Sequence, residues 1–153
     1  MKNVLALLFF IFIVGGCTTK ITDSYKYTGY EIKNKFKILQ SFIIDYEIEN
    51  GGPVFDNEIS IYKLDKKNCV IVSQIDGDSG VYGTETILYF FNSKFLTGYR
   101  ENYSYTVLNN EGTLKSKIPK YEKHMINNKN LVELEKELQN YIKYINRRTL
   151  NQC

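Results

Sequence analysis

Residues 58–64 read EISIYKL, and residues 69–75 follow as CVIVSQI after the polar break DKKN. The isoleucines of the first segment alternate with polar residues, and this period of two predicts a half-buried β-strand. The second segment is rich in β-branched residues, which are also typical of strands. Because the connection between them is short, the two segments can pair only as antiparallel neighbours. This stretch therefore predicts a domain built around an antiparallel sheet.

The strand pattern continues towards the C-terminus. Further strands are predicted over residues 84–91, 95–101, 103–109 and 113–118, with the turn-forming segments DGDSG, NSK and NNEG among them. Short connections of this kind again permit only neighbouring antiparallel pairs. The expected sheet is a β-meander of about five or six strands.

Helical spacing precedes the sheet. Thr28 and Glu31 are spaced as a capping box, apolar residues follow at helical intervals, and an Asn-Gly-Gly-Pro segment ends the pattern, which predicts a helix over residues 29–49. A strand over residues 42–49 is the competing prediction, because alternation and β-branched residues also occur there.

A second helix is predicted after the sheet. Asn130 and Glu133 are spaced as its capping pair, and one apolar stripe follows, formed by Leu131, Leu134, Leu138, Tyr141, Ile142 and Ile145. This stripe needs an apolar partner, and the sheet provides one. The sequence predicts a single α+β domain over residues 28–153, with the N-terminal helix and the C-terminal helix packed on one face of the meander.

The start of the chain is a targeting segment. Lys2 precedes an apolar run from Val4 to Val14 that is too short to span a bilayer, so residues 1–16 are predicted to be a secretion signal. The run Val14-Gly15-Gly16-Cys17 resembles the lipobox of bacterial lipoprotein precursors, although that family usually has Leu where this chain has Val14. The resemblance implies that Cys17 carries lipid, including palmitate, and that residues 17–27 form a tether. An ordinary secretory signal with a chance cysteine is the alternative.

The same resemblance implies a location in the cell envelope. Thr18 follows the lipidated cysteine, and in this class it is the outer-membrane default, so the expected location is the outer membrane, facing the periplasm, with the inner membrane as the alternative. A lipid anchor makes a transmembrane helix unnecessary. The formal net charge of +3 leaves no basic stripe for nucleic acid. The expected partners are the membrane, through Cys17, and a protein of the envelope.

Cys69 and Cys153 are the remaining cysteines. In an oxidising compartment they are most simply a disulfide, whereas the alternative is a buried free Cys69 and a frayed Cys153. Because the chain has one histidine and no C-x-x-C pair, we expect neither a metal site nor a cofactor.

Residues 77–80 read GDSG, which resembles the nucleophile motif of serine hydrolases. The histidine that such a serine needs could only be His124, and its position departs from trypsin-like chains, while Tyr121 stands where GDSL esterases have Asp. Asp76 and Asp78 begin like a calcium loop, but the following positions lack its ligands. The segment is therefore interpreted as a turn, no catalytic residue is assigned, and an enzyme is not expected.

A tyrosine-rich region offers a candidate binding surface. Tyr82, Arg100, Tyr103 and Tyr105 combine large contact area with polar groups, as interface residues do, and one sheet face was expected to remain open to them. The alternative is that these aromatic residues fill the sheet core. The sequence thus favours a protein-binding module, for example an immunity protein or an inhibitor of an envelope hydrolase, with an accessory lipoprotein of a secretion or assembly machine as the alternative.

Overall fold

The computed structural model describes residues 27–47, 54–109, 111, 113–123 and 128–153. The predicted secretion signal, Cys17, most of the predicted tether and His124 lie outside these residues. The elements occur in the order α1 (Gly29–Lys35), β1 (Lys37–Glu47), β2 (Val54–Lys63), β3 (Cys69–Asp76), β4 (Tyr82–Phe91), β5 (Lys94–Ser104), β6 (Lys120–Lys123), α2 (Asn128–Ile142) and α3 (Arg147–Leu150). The strands form one antiparallel sheet in sequence order, which confirms the α+β meander with a helix before it and a helix after it.

The N-terminal helix is shorter than predicted. Thr28 and Glu31 form the expected capping box, in which the Thr28 Oγ1 accepts a hydrogen bond from the Glu31 backbone N at 3.3 Å. The chain then leaves the helix after Lys35 and pairs with β2 from Lys37 to Glu47. A helix over residues 29–49 is therefore wrong beyond its first two turns, and the competing strand is correct in kind but begins earlier. Sheet pairing and β-branched residues outweigh the helical spacing here.

Two strand predictions in the second half are also wrong. Residues 95–101 and 103–109 were expected to be separate strands, but β5 runs unbroken to Ser104, because no turn-forming residue interrupts its pairing with β4. Residues 113–118 form no ladder of their own, and only a single bridge joins Val107 to Lys115. The last strand, β6, lies further along the chain.

Helices α1 and α2 pack on opposite faces of the sheet. On one face, which we call the α2 face, α2 covers the side chains of Ile59, Ile61, Cys69, Ile71, Leu88 and Phe90. On the other, the α1 face, Ile32 packs with Tyr62, Val70, Val72, Ile87, Tyr89 and Tyr99. The expectation that both helices share one face is therefore corrected. Strands β2 to β4 are apolar on both sides, and each side needs a cover.

The C-terminal helix keeps its predicted stripe but not its predicted start. Leu134, Leu138 and Tyr141 are buried against the sheet, and the other stripe residues pack around them. Asn130 lies inside α2 rather than at its N-cap. The chain turns after Ile142, and Asn146 caps the short helix α3 instead.

A disulfide ties the end of the chain to the sheet. The Sγ atoms of Cys69 and Cys153 are 2.07 Å apart, with a sequence separation of 84 residues. The backbone N of Asn92 donates to the Cys153 carbonyl oxygen at 2.9 Å, which holds the C-terminal segment beside the turn between β4 and β5. In the chain-entropy model a loop of this length contributes about 4 to 5 kcal/mol to the free energy of unfolding.

Candidate functional site

Arg100 is engaged by α2. Its Nη2 lies 2.7 Å from the Glu137 carboxylate, and its Nη1 lies 3.9 Å from that of Glu133. These contacts join β5 to α2 on the α2 face. A side chain predicted to contact a partner is thus used to dock the helix.

A buried polar network continues from this ion pair. The Tyr141 hydroxyl donates to Glu137 at 2.6 Å and accepts from the Asn57 amide at 3.1 Å, while the Ser73 hydroxyl donates to Asn57 at 2.8 Å. Burial, and next the negative charge of Glu137, raise the pKa of Tyr141. The network borders an open groove of about 500 Å³ between β1 and α2. The polar atoms of the network are bonded to one another, so they hold α2 in position.

Two buried carboxylates lie under α1. Glu85 and Glu101 are directly opposed across β4 and β5, and both are buried on the α1 face. Neighbouring carboxylates disfavour each other's charge. The Lys33 ammonium lies 3.0 Å from Glu85, and the backbone N of Gly29 donates to Glu101 at 3.3 Å. An added Cβ at Gly29 would lie 1.9 Å from a Glu85 oxygen, so a larger residue there would require the Glu85 carboxylate to move. The acid pair therefore fixes where α1 docks.

Tyr103 belongs to this interior and not to an open surface. Its side chain is 3% exposed, its hydroxyl donates to the Asp76 carboxylate, and the Gln74 amide donates to it at 3.1 Å. Burial, and next the hydrogen bond to Asp76, raise the pKa of Tyr103. Tyr105 packs edge-on against Tyr103, with ring centroids 6.0 Å apart. The alternative interpretation, that these aromatic residues fill the core, is correct for Tyr103.

The four predicted surface residues do not form one surface. Tyr103 and Tyr105 lie together, whereas Tyr82 and Arg100 have the register positions of the α2 face. Of the four, Tyr82 is the most exposed, at 53%, and its ring covers Gly77, where an added Cβ would lie 2.3 Å from that ring. A sequence pattern places residues on alternate faces, but it does not reveal what covers each face.

The GDSG segment is a turn, as predicted. The Gly80 N donates to the Gly77 carbonyl oxygen at 2.8 Å, and Gly80 has a φ of 61°, a conformation that glycine adopts without strain. Ser79 is exposed, and its hydroxyl accepts from the Val81 N at 3.4 Å. Within the part of the chain that the structure describes, no group of three or more His, Cys, Asp or Glu residues could hold a metal ion.

Two segments joined by backbone hydrogen bonds, residues 105–109 and 113–118, lie beside this turn. We call these two segments the arm, and the arm together with residues 77–82 the loop end. The Leu108 N donates to the Leu114 carbonyl oxygen at 2.7 Å, and the Ser116 N donates to that of Thr106 at 2.8 Å. At the base of the arm, the Lys115 ammonium donates to the Gly80 carbonyl oxygen at 2.8 Å.

The arm carries a group of exposed aliphatic side chains. Their exposed fractions lie between 44% and 62%, and the residues are Val107, Leu108, Leu114 and Ile118. Sequence reasoning assigned residues 103–109 and 113–118 to the sheet and so missed this surface. The signal that could have found it is the turn-forming segment NNEG between two short apolar pairs.

No protein-family model matches the chain, and neither a curated protein nor a solved structure matches it. Among the described residues, no helix is long and apolar enough to cross a membrane. The candidate site therefore depends on its own geometry.

Proposed function

We propose that this chain is an outer-membrane lipoprotein, anchored through Cys17 and facing the periplasm, that binds a protein partner through its loop end. The observation that carries this proposal is the pair Leu108 and Leu114, which lie opposite each other on the arm and are each more than half exposed. Adjacent apolar residues on a surface are typical of interaction sites, whereas singly scattered ones are common everywhere. Tyr82 adds an exposed aromatic ring to the same end of the sheet.

The loop end is suited to binding because it is held in place before any partner arrives. Backbone hydrogen bonds join the two segments of the arm, and the backbone N of Tyr105 donates to the Val81 carbonyl oxygen at 2.7 Å. A surface that is already ordered loses less conformational entropy on binding than a free loop does. This favours capture by occlusion, in which the arm covers a site on the partner.

The charge around the arm indicates the chemistry of the partner. Lys117 and Lys120 are exposed near the aliphatic side chains, and Asp78 and Glu111 are exposed acids at the same end. A rim that carries both charges suits a protein surface that has an apolar patch bordered by polar residues of both charges. A lipid anchor would hold this surface at one membrane and raise its local concentration there.

The test is capture of envelope proteins by full-length chains that differ only at the loop end. Leu108→Asp with Leu114→Asp should reduce retention of the partner about 30-fold or more, since truncating an interface anchor costs about 2 kcal/mol or more. Val132→Asp is the matched control, because Val132 is 68% exposed but lies on α2. All three chains should melt at similar temperatures.

Two results would contradict the proposal. The wild-type chain and the Val132→Asp chain should retain the same envelope protein. If no envelope protein is retained by both chains, the binding function is wrong. If the double variant retains the partner with undiminished affinity, the loop end is not the surface.

A further inference from the structure

β1 is a long edge strand. It pairs with β2 on one side only, and it runs for eleven residues, whereas the opposite edge strand β6 has four. An edge strand presents backbone N–H and C=O groups that another strand can pair with. Among the described residues, no backbone hydrogen bond reaches the outer side of β1.

The middle of β1 lacks the usual protection of an edge. The strand contains no proline, its one irregularity is a bulge at Ile38–Gln40, and its charged residues Lys37, Asp45 and Glu47 lie outside the stretch from Gln40 to Ile44. Beyond the bulge, Ile43 is 63% exposed and Tyr46 is exposed as well. Native edges are normally short, charged or covered. The open part of β1 is therefore available for pairing.

The residues beyond the bulge match themselves when reversed. If a second copy lies antiparallel about a twofold axis at Ile43, Phe42 pairs with Ile44 and Gln40 pairs with Tyr46. Ser41 then faces Asp45, and its hydroxyl, which is 2.9 Å from the Ser60 hydroxyl, can accept from Ser60 and donate to Asp45. In this register the Asp45 carboxylates of the two copies do not meet, whereas an axis at Asp45 would place them directly opposite.

We propose that β1 is a self-association edge at which two copies of the chain pair antiparallel about Ile43. Each apolar residue of the segment then meets an apolar or neutral partner, and the two sheets become continuous. A strand from an unrelated protein would not require this symmetric arrangement. This inference uses the opposite edge of the sheet from the arm and does not depend on the proposed function.

Single cysteines introduced into the full-length chain test the register. Directly opposed residues in antiparallel strands have Cα atoms about 4.5 to 5.5 Å apart, within disulfide range. Ile43→Cys should therefore give a disulfide-linked dimer. Ser41→Cys should not, because it would lie about 13 Å from its own copy at about 3.3 Å per residue. Val132→Cys, equally exposed on α2, should not cross-link either.

The outcomes distinguish specific pairing of two β1 strands from random collision of two copies of the chain. A cross-link at Ile43→Cys alone supports the proposal. No cross-link at Ile43→Cys, or equal cross-linking at all three positions, overturns it.

Charge substitutions provide an independent measurement. Copies carrying two different tags should co-purify, and Ile43→Lys should reduce the co-purified fraction tenfold or more, because two lysines would face each other on the axis. Mixing Ile43→Lys chains with Ile43→Glu chains should restore it. Absence of wild-type co-purification, or a Lys variant that still associates fully, would reject the dimer.

Discussion

Lys33 shows how one residue can position an element. Its ammonium contacts Glu85, whose neighbour across the strands is a second buried carboxylate, Glu101. Without that cation, the Glu85 carboxylate would lose its ion pair in a buried position beside a second carboxylate. The same region explains Gly29, since an added Cβ there would displace the Glu85 carboxylate.

We expect Lys33→Met to lower the free energy of unfolding by about 1 to 2 kcal/mol, less than for a fully buried pair because Lys33 is one-third exposed. Lys35→Met is the matched control. It removes an exposed pair with Glu31 at 3.5 Å and should change stability by less than about 0.5 kcal/mol.

Urea unfolding measures both variants. Adding Glu85→Gln to Lys33→Met should recover part of the loss, because the second change removes the unpaired charge. Equal effects of the two lysine variants would show that the buried carboxylates do not orient α1.

The buried tyrosines carry a pH dependence. Burial raises the pKa of Tyr89 to about 12 and raises those of Tyr99, Tyr103, Tyr121 and Tyr141 as well. In the unfolded chain the pKa of tyrosine is about 10. Above that pH the unfolded state therefore loses protons that the folded state keeps. Their stabilisation is complete below about pH 10 and is lost as the pH rises towards the folded values.

The urea midpoint should therefore decrease as the pH rises from about 10 towards about 12, and phenolate absorbance should rise together with unfolding. Tyr103→Phe should weaken this dependence. An unchanged midpoint across that range would show that these hydroxyls are not protected by burial.

At the scale of elements, β1 and β5 mark the limit of prediction from sequence. The Thr28 capping box, the strands around Cys69 and the stripe of α2 are local patterns, and they were predicted correctly. Residues 37–47 have both helical and strand periodicity, so the pairing with β2 decides between them. The alternation of apolar and polar residues also cannot distinguish a strand of the sheet from the hydrogen-bonded segments of the arm, so the arm was not predicted.

Burial explains the error in the candidate surface in the same way. The alternation around Tyr103 correctly placed it on a face of its strand, but its neighbours Tyr121 of β6 and Asp76 of β3 come from other parts of the sequence. Arg100 was likewise expected at a surface, yet α2 supplies its partners Glu133 and Glu137.

For the whole molecule, the proposed lipid anchor on Cys17 would decide where the domain acts. Cys17→Ser should abolish palmitate labelling and leave the chain unprocessed or misrouted, because the thiol is the acceptor of the lipid in the class that its lipobox resembles. Membrane fractionation and labelling provide the measurement. A Cys17→Ser chain of mature size that still fractionates with the outer membrane would contradict the lipoprotein assignment.

The disulfide has a kinetic consequence for the folded protein. The Cys69 side chain is fully buried, and Cys153 lies just beyond α3 on the α2 face. A reducing agent can reach these sulfur atoms only when the C-terminal segment detaches from the sheet, and such local openings are rarer than the fraying of a free terminus. The rate at which the bond is reduced in the folded state therefore reports how often that segment leaves its place.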